Sequence, residues 1–110
     1  MKALMGNKII AEKINDCVGL RSFIGLRFKK SFGKYDAYLI HMLKDSILTS
    51  MFVRVEFLAI WLDNKGKILH IEKCKKNNLF PIIKNQKMVL ELPINSKVKL
   101  KKGDIIKFKA

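Results

Sequence analysis

Two histidines, two cysteines and one Arg-x-Glu pair are the residues of this chain whose types could do chemistry. His41, His70, Cys17 and Cys74 together hold the donors of a Cys2His2 zinc site. Zinc fingers and ribbons bring their ligands in close-spaced pairs, and these four follow no such spacing. No metal and no cofactor is therefore expected. A cysteine beside a histidine can act as a nucleophile, but a third group must orient the base. Nothing in the sequence supplies one, so no catalytic residue is assigned. Cys17 and Cys74 read as buried or half-buried thiols, and His70 as a strand residue at the surface. A disulfide would need their Cα atoms within about 7 Å. Arg54 and Glu56 stand at i, i+2 on one strand face, where they can form an ion pair or line a pocket mouth. They are the candidate ligand-binding pair. The plainer reading is a solvated pair at the rim.

Charge is the loudest property. The chain has 23 basic and 9 acidic side chains, a net charge of +14. Twenty of the basic residues are lysine and three are arginine. Such an excess attracts polyanions and supports non-specific nucleic-acid binding. Base and phosphate readers favour the planar fork of arginine, however. The richness in Lys, Ile and Asn fits a compositional origin equally well. The lysines cluster at Lys29, Lys30 and Lys34, at Lys73, Lys75 and Lys76, and at Lys97, Lys99, Lys101 and Lys102. If loops at one end of a barrel bring these together beside an exposed Tyr35, Tyr38 or Phe80, single strands can stack there. If the clusters scatter, they form a solvated surface. There is no helix-turn-helix, RNP or KH pattern, no P-loop and no G-x-G-x-x-G fingerprint.

The elements that must position these residues are mostly strands. At 110 residues the chain reads as one domain, 1–110. No window is apolar enough for a transmembrane helix, and the first residues lack a signal-peptide core. No membrane is expected, and the default location is the cytoplasm. Residues 57–62 form an unbroken apolar run holding the single tryptophan, Trp61. As a strand it places Phe57, Ala59 and Trp61 on one face and Leu58, Ile60 and Leu62 on the other, so both faces should be buried. Asp63, Asn64 and Gly66 supply turn chemistry, and residues 68–71 return as a hairpin partner. Residues 7–17 could be a strand or a short helix, and the turn chemistry of Asn15 and Asp16 at their end favours a strand; 35–43, 47–55 and 88–92 read as further strands. Pro81 demotes 79–83 to an edge segment. Residues 19–28 have helical spacing, with Leu20, Phe23 and Ile24 on one stripe. Asn95 and Ser96 suit a single helical turn, Lys102, Gly103 and Asp104 a turn, and 105–108 a last strand. The expected fold is mainly β: a small, mostly antiparallel barrel or sandwich with one short N-terminal helix.

Three landmarks in order resemble a known family. Phe-Ile-Gly-Leu-Arg-Phe at 23–28 resembles the helix end RGLMF. Phe52, Arg54 and Trp-Leu-Asp-Asn-Lys-Gly-Lys-Ile at 61–68 resemble FFMRFPIDVVFLDxxGxI. Val-Leu-Glu-Leu-Pro at 89–93 with Leu-Lys-Lys-Gly-Asp at 100–104 resembles VLELPxGxxxxxxIxxGDxV. Order and spacing are similar to the domain of unknown function 192 family over roughly residues 8–108. The resemblance implies a compact, mostly antiparallel β domain with a short helix near its start, and no established activity. It also implies that Phe28, Phe52 and Trp61 are core. The chain departs from the pattern where Glu56-Phe57-Leu58 replaces Pro-x-Asp, and where Arg27 replaces Met.

Two functional readings follow. The first is a non-enzymatic binding module for an anionic partner, a nucleic acid or an acidic protein. The alternative is a small-molecule site or weak enzyme with a pocket near Arg54. A third, plainer reading is a structural subunit using an exposed apolar patch or sheet edge.

Overall fold

A computed structural model describes residues 1–17, 33–41, 56–74 and 82–109. The 57–62 run is strand β5 (Phe57–Leu62), and its alternation divides the core in two. Phe57, Ala59 and Trp61 enter one cluster with Tyr38, Ile40, Cys74 and Val89. Ile60 and Leu62 enter the other with Leu39, Leu90, Leu92 and Ile106, and Leu58 packs against that cluster. Both faces are covered, as an apolar run without alternation requires.

Among the described residues, eight strands make two sheets. The larger contains β3 (Ile14–Cys17), β4 (Ala37–His41), β7 (Met88–Pro93), β5 and β6 (Ile68–Cys74), in the order β3-β4-β7-β5-β6. Its β3-β4 pair is parallel and the other pairs are antiparallel. The smaller contains β1 (Lys2–Met5), β2 (Lys8–Ala11) and β8 (Lys107–Lys109), in the order β2-β1-β8, all antiparallel. Ala3, Ile10, Ala11 and Ile106 bring its side of the fold against the second cluster.

The fold is mainly β, and among the described residues neither sheet closes into the expected barrel. Residues of both sheets share the second cluster, and among the described residues one isolated bridge pairs Lys67 with Ile105. The helix expected over 19–28 and the strand over 47–55 lie outside the described residues, as do Phe28, Phe52 and Phe80. None of the described residues is helical, the 95–96 turn included. There the Ser96 N–H donates to Pro93 O at 3.0 Å and closes a simple turn.

The 7–17 stretch also departs from expectation. It is two strands, broken at Glu12 and Lys13 rather than ended at Asn15 and Asp16. The Asp36 carboxylate, distant in sequence, accepts both the Glu12 and Lys13 N–H groups at 3.1 Å. A side chain arriving from before β4 therefore satisfies the backbone where the chain passes from one sheet to the other. Asn15 and Asp16 instead pair with Tyr38 and Leu39 in β3.

Candidate functional site

The first cluster's face carries the polar groups. Register aligns Tyr38, Glu91, Ala59 and Glu72 in one row across four strands. The next row is Ile40, Val89, Trp61 and His70. Glu91 is only 4% exposed, although it lies in the middle strand of the sheet. At the β6 edge the face opens. His70 Nε2 is 3.0 Å from Glu72 Oε1, and its ring is 5.1 Å from the Trp61 ring. Cys74 lies fully buried at the end of the same strand. Burial pushes its thiol up to about 12, and the charges of Glu72 and Glu91 add to that effect. A nucleophilic cysteine needs the opposite environment. Glu91 and Gln86 were not singled out as buried polar groups from the sequence. For Glu91 the signal was there: the alternation of 88–92 puts it on the same face as Val89. Gln86 is 2% exposed, and its Oε1 accepts the Ile83 N–H at 3.0 Å.

The metal and disulfide combinations are separated by topology. Cys17 and Cys74 lie on opposite edge strands, four strand spacings or about 19 Å apart. Cys74 is a free thiol. His41 and His70 lie on strands three spacings, about 14 Å, apart. His41 instead meets Asp16 at 2.6 Å, across the parallel β3-β4 pair. Among the described residues no three His, Cys, Asp or Glu side chains gather to hold a metal. Arg54 lies outside the described residues, and with it the pocket expected there; Glu56 is exposed just before β5.

The described members of the expected lysine clusters lie at both ends of the larger sheet and between them. Lys34 precedes β4, and Lys73 pairs with Leu58 near the start of β5, so both lie at the Phe57 end. Lys101 and Lys102 lie at the opposite end, where the β5-β6 hairpin turns. Lys97 and Lys99 stand on the extended segment that runs between the ends, alternating with half-buried Val98 and Leu100. Lys29, Lys30, Lys75 and Lys76 lie outside the described residues. The described members therefore do not converge at one end. Nor do they surround a stacking platform. Tyr38 is buried, while half-buried Tyr35 meets its ring edge-on at 5.6 Å and carries Lys34 Nζ at 5.3 Å.

Two further lysines, outside the expected clusters, adjoin Lys101 and Lys102. Lys65 and Lys67 lie on the hairpin turn, which docks on the 101–104 turn. Ile68 N–H donates to Asp104 O at 2.8 Å, Gly103 N–H to Ile68 O at 2.9 Å and Ile106 N–H to Gly66 O at 2.8 Å. Each turn was legible in the sequence, but the docking between them was not. The acids inside these turns face the backbone. Asp63 Oδ1 accepts the Lys65 and Lys67 N–H groups at 2.8 and 2.9 Å, and Asp104 Oδ2 accepts the Lys101 N–H at 3.0 Å. Partial burial pushes the Asp63 carboxyl up. The Lys67 and Lys65 N–H groups and ammonium charges more than reverse this, holding it below its ordinary value.

Acid use of this kind recurs. Asp36 also holds backbone N–H groups, whereas Asp16 and Glu72 pair with histidines. Every described lysine is exposed. Among the described residues the ion pairs are these two histidine pairs, and no lysine joins one.

No protein-family model matches the chain, and no curated protein matches it. The fold is similar to the crystal structure of a protein of unknown function from Novosphingobium aromaticivorans, with a TM-score of 0.71 at 13% identity. The likeness covers 86% of this chain and 72% of that one. At this identity it shows a shared fold. Among the described residues no helix is long and apolar enough to cross a membrane.

Proposed function

We propose that the protein is a non-enzymatic binding module for an anionic partner, a nucleic acid or an acidic protein. The observation that carries this is the division of labour among charges. The described acids serve backbone N–H groups, histidines and the buried sheet face, or stand exposed, while every described lysine is exposed and none joins an ion pair. A surface whose charges compensate one another has little attraction for a polyanion; this one keeps its field. Burial that keeps the Cys74 thiol protonated also favours binding over cysteine-based nucleophilic catalysis. A cytoplasmic location fits the free thiol of Cys74. The resemblance to the domain of unknown function 192 family remains part of this proposal and adds no activity to it.

The test is binding of the purified protein to single-stranded RNA and to heparin between about 50 and 200 mM salt, where counterion release makes affinity fall steeply. The expected result is RNA binding with a steep negative slope, stronger than heparin binding. It should be weakened by neutralising Lys97, Lys99, Lys101 and Lys102 together. Absence of RNA binding at the lowest salt, or equal weak binding to both polymers that vanishes near 150 mM, would reduce the charge to surface composition.

A further inference from the structure

On the premise that the protein binds polyanions, we propose that the contact surface is the pair of docked turns at the hairpin end. Its occupant is the phosphodiester backbone of a nucleic acid, held without base discrimination.

The surface is built by backbone geometry. The Asp63 N–H donates to Lys67 O and the Gly66 N–H to Asp63 O, both at 3.1 Å, closing the first turn. The Asp104 N–H donates to Lys101 O at 3.1 Å, closing the second. Three further backbone hydrogen bonds, through Ile68, Gly103 and Ile106, hold the turns side by side. Lys65, Lys67, Lys101 and Lys102 are thus presented from adjoining rigid turns, all exposed. Lys87 flanks the same corner, its N–H donating to Leu62 O at 2.8 Å. Of the two acids within the turns, Asp63 accepts backbone N–H groups at Oδ1 and Asp104 at Oδ2; the Lys65 and Lys67 charges act on Asp63, but neither acid forms an ion pair with a lysine.

Composition decides the partner. Protein interfaces are depleted in lysine and take their energy from Trp, Tyr and Arg anchors. Residues 63–67 and 101–104 contain none of these. A phosphate backbone needs only positive point charges that can come close. The turns meet that need: Gly103 is exposed, and a Cβ there would meet nothing within 4 Å. With no aromatic residue on either turn, bases find no stacking surface, so sequence is not read.

The experiment compares three proteins binding a labelled 20-base-pair DNA duplex over a salt series, with poly-glutamate as the acidic-protein probe. One variant carries Lys65→Gln, Lys67→Gln, Lys101→Gln and Lys102→Gln. The other loses the same charge at the far end through Lys2→Gln, Lys13→Gln, Lys34→Gln and Lys73→Gln. That end is defined by Ile14, whose N–H donates to Met1 O and which pairs with Ala37. Circular dichroism and Trp61 fluorescence confirm that both variants fold. The turn variant should lose at least tenfold in affinity, with a salt slope shallower by about three. The far-end variant should change its slope by less than one. Equal losses in both variants would overturn the assignment to the turns while leaving wild-type polyanion binding intact. Tighter binding of poly-glutamate than of the duplex at matched charge would overturn the nucleic acid and favour an acidic protein. No binding by the wild type would remove the premise itself.

Discussion

The Cys74 thiol lies on a buried sheet face, and the charges of Glu72 and Glu91 join burial in opposing its ionisation. Its value rises from 9.0 to about 12. In a Cys17→Ser background, reaction of the folded protein with an aromatic disulfide reagent at pH 8 should be at least about a thousandfold slower than that of the unfolded chain, because the thiolate fraction falls tenfold per unit. A rate within tenfold of the unfolded chain would show that the thiol is open. The same group couples to stability. Between pH 9 and about 12 the unfolded chain releases the thiol proton and the folded protein retains it. The unfolded state then binds fewer protons, so stability must fall as pH rises through this window. The Cys74→Ala variant should lack that part of the decline, and urea unfolding at pH 8 and 10.5 measures it. Identical pH dependence in the two proteins would exclude the effect.

At the scale of elements, two glycines of the docked turns separate two causes of strain. Gly66 has φ of +84°, and a Cβ there would fall 2.1 Å from Ile106 O. Gly103 has φ of +98° with open space around it. Gly103→Ala should cost about 1 kcal/mol, from the left-handed backbone alone. Gly66→Ala should cost at least about 2–3 kcal/mol, because the hairpin must also move off the Ile106 carbonyl. Equal losses on urea unfolding would mean that the turns are not tightly docked. The sequence marked both turns because Asp and Gly have strong local preferences. It also marked β5, β4 and β7, whose apolar faces alternate as the core requires. It did not mark β1 as the middle strand of the smaller sheet, since Lys-Ala-Leu-Met carries no clear period. Nor did it mark the break at Glu12, which depends on Asp36 more than twenty residues away. Likewise Lys65 and Lys67 become neighbours of Lys101 and Lys102 only through the bonds of Ile68 and Ile106. Local chemistry was legible; long-range pairing was not, because nothing in the two turn sequences encodes their mutual register.

At the scale of the whole molecule, two sheets that do not close into a barrel leave the described lysines spread over the surface instead of ringed at one barrel mouth. A net charge of +14 on 110 residues then acts mainly against the folded state, since like charges are held closer than in the unfolded chain. Attractive pairs would offset this, but among the described residues no lysine joins an ion pair, and Lys2 directly faces Lys109 across β1 and β8. Salt should therefore screen more repulsion than attraction. The melting temperature should rise from about 10 to 500 mM sodium chloride, as the screening length falls from about 30 Å toward a few ångströms. A polyanion that binds only the folded protein adds stability by mass action. At 10 mM salt, saturating duplex DNA should raise the melting temperature beyond the value salt alone reaches, and at 500 mM that increment should vanish. A melting temperature that falls with salt would mean that favourable ion pairs dominate the fold. A rise with salt but none with duplex would confine the lysines to self-repulsion and count against a nucleic-acid partner.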